Sequence, residues 1–170
     1  DDQGSFWCDN ELLTQLHQNA YWGIIGNYHG MPTDCPQRDE RMGWLGDHAM
    51  GCYGENLLVD NGALYYKWLQ DVADTQDEDG LIADVAPAFW VVRNKDVAWG
   101  ALSVYATFML LRRYNDINAV SKYYPFLQRY MHYLDKNLED GIVPTSCYGD
   151  WCMPPERLDL IHSEDPSRRT

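Results

Sequence analysis

Apolar residues recur every three or four positions along five stretches of this chain, and no run alternates in steps of two between turn signals. That period marks helices that bury one face. Leu12, Leu16, Ala20 and Ile24 form the first stripe, with Asp9 or Asn10 placed to cap it. After a loop holding Pro32 and Pro36, a second helix is expected from about Trp44 to Val59, stopped by Asp60-Asn61-Gly62. Leu64, Trp68, Leu69 and Val72 mark a third, ended by Asp77-Glu78-Asp79-Gly80. Leu81 to Asn94, with Pro87 and short β-branched runs, reads as a long structured loop. Val97, Ala101, Val104, Phe108 and Leu111 mark a fourth helix. Tyr123, Phe126, Leu127, Tyr130, Met131, Leu134 and Leu138 mark a fifth, which Gly141 ends. The expected fold is all-α, one domain over 1–170, with helix pairs joined alternately by short and long connections. Long connections this rich in Trp and Pro are expected to line a cleft.

Composition narrows the partners. With 170 residues, 45% of them hydrophobic, the chain has enough apolar matter for one core. A formal net charge of -13 argues against a nucleic-acid partner and against a basic membrane-facing helix. No apolar run approaches the roughly 18 residues of a membrane span, and the N-terminus lacks the charged and apolar regions of a signal peptide. The chain does not begin with Met, so it reads as cut from something longer. Its five cysteines (Cys8, Cys35, Cys52, Cys147 and Cys152) are odd in number and contain no C-x-x-C pair. They are expected to be mostly buried thiols, which favours a cytoplasmic compartment, with the periplasm or the exterior still open; one Cys147–Cys152 bridge is an alternative. Seven Trp and twelve Tyr suit either helix packing or a sugar cleft, where flat rings meet the apolar faces of pyranoses.

The densest chemistry lies between Asp34 and Asp47. Fourteen residues hold the carboxylates Asp34, Asp39, Glu40 and Asp47 and the guanidiniums Arg38 and Arg41, mixed with Cys35, Pro36, Met42 and Trp44. That mixture implies partial burial, and buried carboxylates need cationic or hydrogen-bonding partners, for which Arg38 and Arg41 are nearest. Two readings stand side by side: a structural ion-pair network and a catalytic cluster. Glycoside hydrolysis suits the second, because it needs one carboxyl with a raised pKa to protonate the leaving oxygen.

The segment Pro32-Thr33-Asp34-Cys35-Pro36-Gln37-Arg38-Asp39-Glu40-Arg41-Met42-Gly43-Trp44-Leu45-Gly46-Asp47 closely resembles the signature of bacterial and fungal α-L-rhamnosidases of glycoside hydrolase family 78. Phe6 to Asn27, Ala98-Trp99-Gly100, Tyr148-Gly149-Asp150-Trp151 and Asp159 to Pro166 resemble further segments of it in the right order. The resemblance implies about half of an (α/α)6 toroid of helical hairpins. It implies inverting hydrolysis of terminal α-L-rhamnose, without a cofactor or metal. Glu40 would be the general acid; Asp39 is a rival, but the count from Gly43-Trp44 favours Glu40. Asp34 and Asp47 would hold sugar hydroxyls or shape the acid's environment. Trp44, Trp99 and Trp151 would wall the C6 methyl and apolar face of the sugar. Arg38, Asp39 and Asp150 would also face substrate.

Two departures stand out. Ala101 occupies the position of the family's Asp after Trp-Gly, and that Asp could hold sugar or cap the helix. The family's general base is a Glu far downstream, and neither Glu156 nor Glu164 lies at its place. The base is therefore expected outside the chain, which alone would be weakly active and would need the rest of the catalytic domain, or self-association, to cover its helices. His17, His29, His48, His132 and His162 form no metal motif, and Cys35 has no adjacent His to make it a nucleophile. Asp77 to Gly80 lacks the spacing of a calcium loop. A catalytically inactive sugar-binding relative, or a hydrolase of another sugar on the same toroid, are the alternative functions.

Overall fold

The computed structural model describes residues 4–89, 91–144 and 147–148. Among them the chain is helical, with three isolated β-bridges and no longer strand. The first helix, α1 (Glu11–Gly26), is capped by Asn10, whose side chain accepts from the amides of Leu12 and Leu13. Then follow α2 (Leu45–Leu58) and α3 (Gly62–Asp74). The fourth expected helix is interrupted at Ala101 into α4 (Val97–Gly100) and α5 (Leu102–Tyr114). Ala101 keeps right-handed helical angles, so the break is slight. The last, α6 (Ile117–Lys136), starts six residues before the expected Tyr123. Asn115 in the left-handed region ends α5, and the Asp116 carboxylate caps α6 through the Ala119 amide, a local signal that the apolar stripe does not carry.

The short and long connections alternate as expected. Residues 59–61 and 115–116 make tight turns, while 27–44 and 75–96 are long. Inside the core, α5 packs on α2, α3 and α6. Its buried centre includes Leu45, Tyr65, Trp68, Leu69, Val72, Leu102, Met109, Leu110 and Tyr123. Fully burying one such Leu or Val side chain stabilises by roughly 1.5–3 kcal/mol.

Trp68 also ties this core to the cleft end, because its indole N–H donates to the Ala86 carbonyl at 2.6 Å. Leu81, Ile82, Ala83, Val85 and Ala86 are all buried, so the first part of the expected structured loop is packed against the helices, while Phe89 and Val91 further along it are exposed.

The first helix departs from its reading. Its stripe was expected to bury a face, yet no residue of α1 is buried, and Leu12, Leu16 and Trp22 stand exposed. It touches α2 only lightly. The cysteines depart too: of the four described, only Cys52 is buried, and Cys147 is exposed. Cys152 lies outside the described residues, so the Cys147–Cys152 alternative does as well. No described helix is long and apolar enough to cross a membrane.

Candidate active site

The charged loop is closed at its base. Asp34 is buried; its amide donates to the Met42 carbonyl at 3.0 Å, and its carboxylate accepts from the Met42 amide at 2.7 Å. Between these anchors Cys35 (φ 33°) and Arg41 (φ 50°) take left-handed backbone angles. Each such non-glycine conformation costs about 1–3 kcal/mol and persists where the surroundings over-determine it. Here the paired bonds at Asp34 supply that constraint and fold the loop back over itself.

Glu40 occupies the inner side of the loop. One oxygen accepts from the Arg38 guanidinium, with Nε at 2.8 Å and a second nitrogen at 2.7 Å. The other accepts from the Trp44 indole N–H at 2.8 Å. The neighbouring Asp39 points away, fully exposed, and pairs with Arg41 at 3.1 Å. The loop thus sorts its two adjacent carboxylates: Glu40 faces an aromatic ring, Asp39 faces solvent. The ion pairs Arg38–Glu40 and Arg41–Asp39 that the network reading expects are present, and the first of them includes the candidate acid of the other reading.

Asp47 sits in the first turn of α2 and keeps an exposed surface. Even so, loss of hydration pushes its carboxyl above the usual range; hydrogen bonding at its own backbone and the charge of His48 oppose this, and Asp34 and Glu40 add to it. The Cys35 thiol is pushed up to about 11, first by its hydrogen bond to Asp34 and then by burial. It stays protonated near neutrality and is a poor nucleophile. Asp34, Cys35 and Glu40 each bring one potential ligand atom to within 4.8 Å of the others, the one such set among the described residues. Their carboxylates already accept bonds there from Met42, Arg38 and Trp44.

Two glycines let the wall approach. A side-chain carbon on Gly43 would lie 2.0 Å from the Ala86 carbonyl oxygen, and one on Gly46 would lie 2.3 Å from the Trp99 indole. Trp99 therefore rests on the first turn of α2. Tyr148 lies tilted against it with ring centroids 4.4 Å apart and meets Trp44 edge-on at 6.1 Å. Asp150 and Trp151 lie outside the described residues. Of the nine expected site residues, the structure brings Asp34, Arg38, Glu40, Trp44, Asp47 and Trp99 to one end of the bundle, with Asp39 exposed on the rim of the cleft beside them.

Sequence reasoning missed three residues there. Asp84 and Asp96 are buried, and both hold Tyr148. Signals existed: Asp84 is a lone charge inside the apolar run Leu81 to Ala86, and Asp96 stands at the cap position before α4, where it accepts from the Ala98 and Trp99 amides. Asp96 thus caps α4, while Ala101, at the N-cap of α5, gives no side-chain cap. Beside Glu40 a cleft of about 570 Å³ opens between Met31, Met42, Trp44, Pro87 and Phe89.

Residues 1–170 match, over their whole length, the bacterial alpha-L-rhamnosidase 6 hairpin glycosidase domain. The chain belongs to that family. As a member of the six-hairpin glycosidase family it is 35% identical over 140 residues to an alpha-L-rhamnosidase of Streptomyces avermitilis, covering 82% of this chain and 14% of that protein. The alpha-L-rhamnosidase structure from Dictyoglumus thermophilum superposes with a TM-score of 0.87 at 38% identity, over 91% of this chain and 17% of that one. The Streptomyces avermitilis enzyme complexed with L-rhamnose superposes with a TM-score of 0.83 at 34% identity, over 86% of this chain and 14% of that one. The rhamnosidase-family fold is thus shared, and the chain spans a small part of each relative's length.

Proposed function

We propose that this chain supplies the general acid and part of the sugar-facing wall of an inverting α-L-rhamnosidase. The observation that carries the reading is the placement of Glu40, half-buried, bonded to the indole of Trp44 and backed by Arg38. The likeness to an enzyme complexed with L-rhamnose supports the choice of sugar. A 6-deoxy sugar carries a methyl where a hexose carries a hydroxymethyl, and the rings of Trp44 and Trp99 offer it apolar surface; Trp151 would extend that wall. Discrimination from one such group is worth about 1–3 kcal/mol.

In the reaction, Glu40 gives a proton to the glycosidic oxygen while the bond to the anomeric carbon breaks. Both of its oxygens accept hydrogen bonds in the structure, so the one carrying the proton must turn from accepting to donating. Asp34 and Asp47 hold ring hydroxyls. A water activated by a base about 6.5–9.5 Å from the acid attacks the opposite face, releasing β-L-rhamnose. That base lies in another part of the catalytic domain, which also covers the exposed stripe of α1.

Proton NMR of an aryl α-L-rhamnoside with the complete gene product tests this. β-L-Rhamnose should appear first, and Glu40→Gln should lower kcat by about 10²–10⁴. Undiminished turnover in Glu40→Gln would remove Glu40 from the acid's role. Saturable rhamnose binding without turnover in the wild type would favour the inactive sugar-binding reading.

A further inference from the structure

We propose that Asp84 and Asp96 are positioning residues that fix Tyr148, and through it the sugar-facing wall, without either carboxylate reaching the sugar. The inference rests on the rhamnosidase reading and extends the site to three residues outside the charged loop.

Asp84 is 2% exposed and Asp96 4%. Carboxylates this deep are tolerated only when hydrogen-bonded, and both direct their bonds to the cleft end. Asp96 divides its oxygens: Oδ1 takes the Ala98 amide at 2.9 Å and the Trp99 amide at 3.3 Å, while Oδ2 takes the Tyr148 amide at 2.9 Å. One side chain therefore registers the backbones of both aromatics. Asp84 works from the other end of the ring. Its Oδ2 accepts from the Tyr148 hydroxyl at 3.0 Å and from the Asn94 amide at 2.9 Å, and the Asn94 side chain donates to the same hydroxyl. The backbone of Asp84 is anchored in turn, its carbonyl accepting from Leu45, the residue after Trp44, at 2.9 Å and its amide donating to Val92 at 2.8 Å.

Tyr148 is thus held at its amide and at its phenol oxygen, with a tryptophan against its face and another at its edge. Its ring lies against Trp99 and Trp44, the two described tryptophans of the proposed wall, so this double fixation acts there. Burial pushes the Asp84 carboxyl upward, and the Asn94 amide and the Tyr148 hydroxyl counter it. Binding geometry depends on such supporting bonds, because a ring displaced by about 1 Å loses its fit to the sugar.

The test uses the complete gene product, 4-nitrophenyl α-L-rhamnoside and four variants. Tyr148→Phe removes one oxygen and should raise KM about tenfold while kcat changes less than about twofold, the pattern of lost uniform binding. Asp84→Ala should reproduce it, and the double variant should be no worse than either single one, since both act through one bond. Asp84→Asn keeps an oxygen that accepts the phenol and should restore KM to near wild type. Wild-type KM in Tyr148→Phe, or multiplied effects in the double variant, would overturn the proposal. If Asp84→Ala does not fold, Tyr148→Phe and Asp84→Asn still decide it. A wild type inactive on every rhamnoside would defeat the rhamnosidase reading instead; L-rhamnose titrated calorimetrically into wild type and Tyr148→Phe would then read the wall alone, with Kd about tenfold weaker expected and an equal Kd overturning the proposal.

Discussion

Glu40 and Glu55 are both hydrogen-bonded glutamates in the first third of the chain, and they are built on opposite plans. The side-chain partners of Glu40 come from within four residues, Arg38 on one side and Trp44 on the other. Glu55 lies buried on α2 and draws its partners from across the fold: His48 Nδ1 at 2.7 Å, the Tyr28 hydroxyl at 2.7 Å and the Tyr65 hydroxyl at 2.6 Å. The network continues through Asn61 and Asn56 to Tyr114. A half-exposed local cluster can change its bonds when a substrate arrives. A buried one cannot without unmaking the helix contacts around it, so the two glutamates should fail differently.

The largest expected difference is in stability. Glu55→Ala strips a buried charge and leaves two phenols and an imidazole without their acceptor, and should cost about 3–5 kcal/mol in urea or thermal denaturation. Glu40→Gln should move the same measurement by less than about 0.5 kcal/mol while lowering kcat by about 10²–10⁴. Equal destabilisation by both would erase the distinction.

Acid should separate them next. Burial alone would raise the Glu55 carboxyl, but the hydrogen bond and charge of His48, with the Tyr65 and Tyr28 hydroxyls, outweigh it and hold it below its usual 4.5. A folded-state pKa below the unfolded one contributes stability above the unfolded value and loses it as pH falls through the folded one. Wild-type stability should therefore fall as pH drops below 4.5, and Glu55→Gln should flatten that loss. Asp47 and Asp84, raised by burial, run the other way: their share is present at low pH and is lost as pH rises through their elevated values. A Glu55→Gln profile as steep as wild type would assign the acid sensitivity elsewhere.

The smallest effect belongs to Asp39. Its carboxylate is fully exposed and paired only with Arg41 among the bonds described, so Asp39→Asn should leave the melting temperature unchanged within error. A measurable loss would mean that the loop's local pairs hold more than themselves.

The same contrast explains what the sequence revealed. Helix period made α2, α3 and α6 legible because each one's own stripe meets the core, and the charged loop was legible because its partners are neighbours in the chain. Glu55 was invisible. It is one acid on the stripe of Leu45, His48 and Cys52, and nothing local says that Tyr28 and Tyr65 will converge on it. Asp84 showed only as a lone charge in an apolar run, with no sign of its partners, while Asp96 was readable as a helix cap. For α1 the helix was read correctly and its buried face was not, because burial depends on a second surface that a single helix does not specify.

The bond between Tyr148 and Asp84 spans 64 residues, and it fixes a timetable for synthesis. Chains grow at about 5–20 residues per second, so Asp84 waits roughly 3–13 s at that pace for its phenol to be made. The charged loop closes on itself before α2 has been translated. The wall cannot close until residue 148 has been added. Once Tyr133, the last buried residue of the core cluster, has been made, Trp99 still lacks its tyrosine partner, which makes the nascent cleft the last place where a chaperone would find this chain sticky.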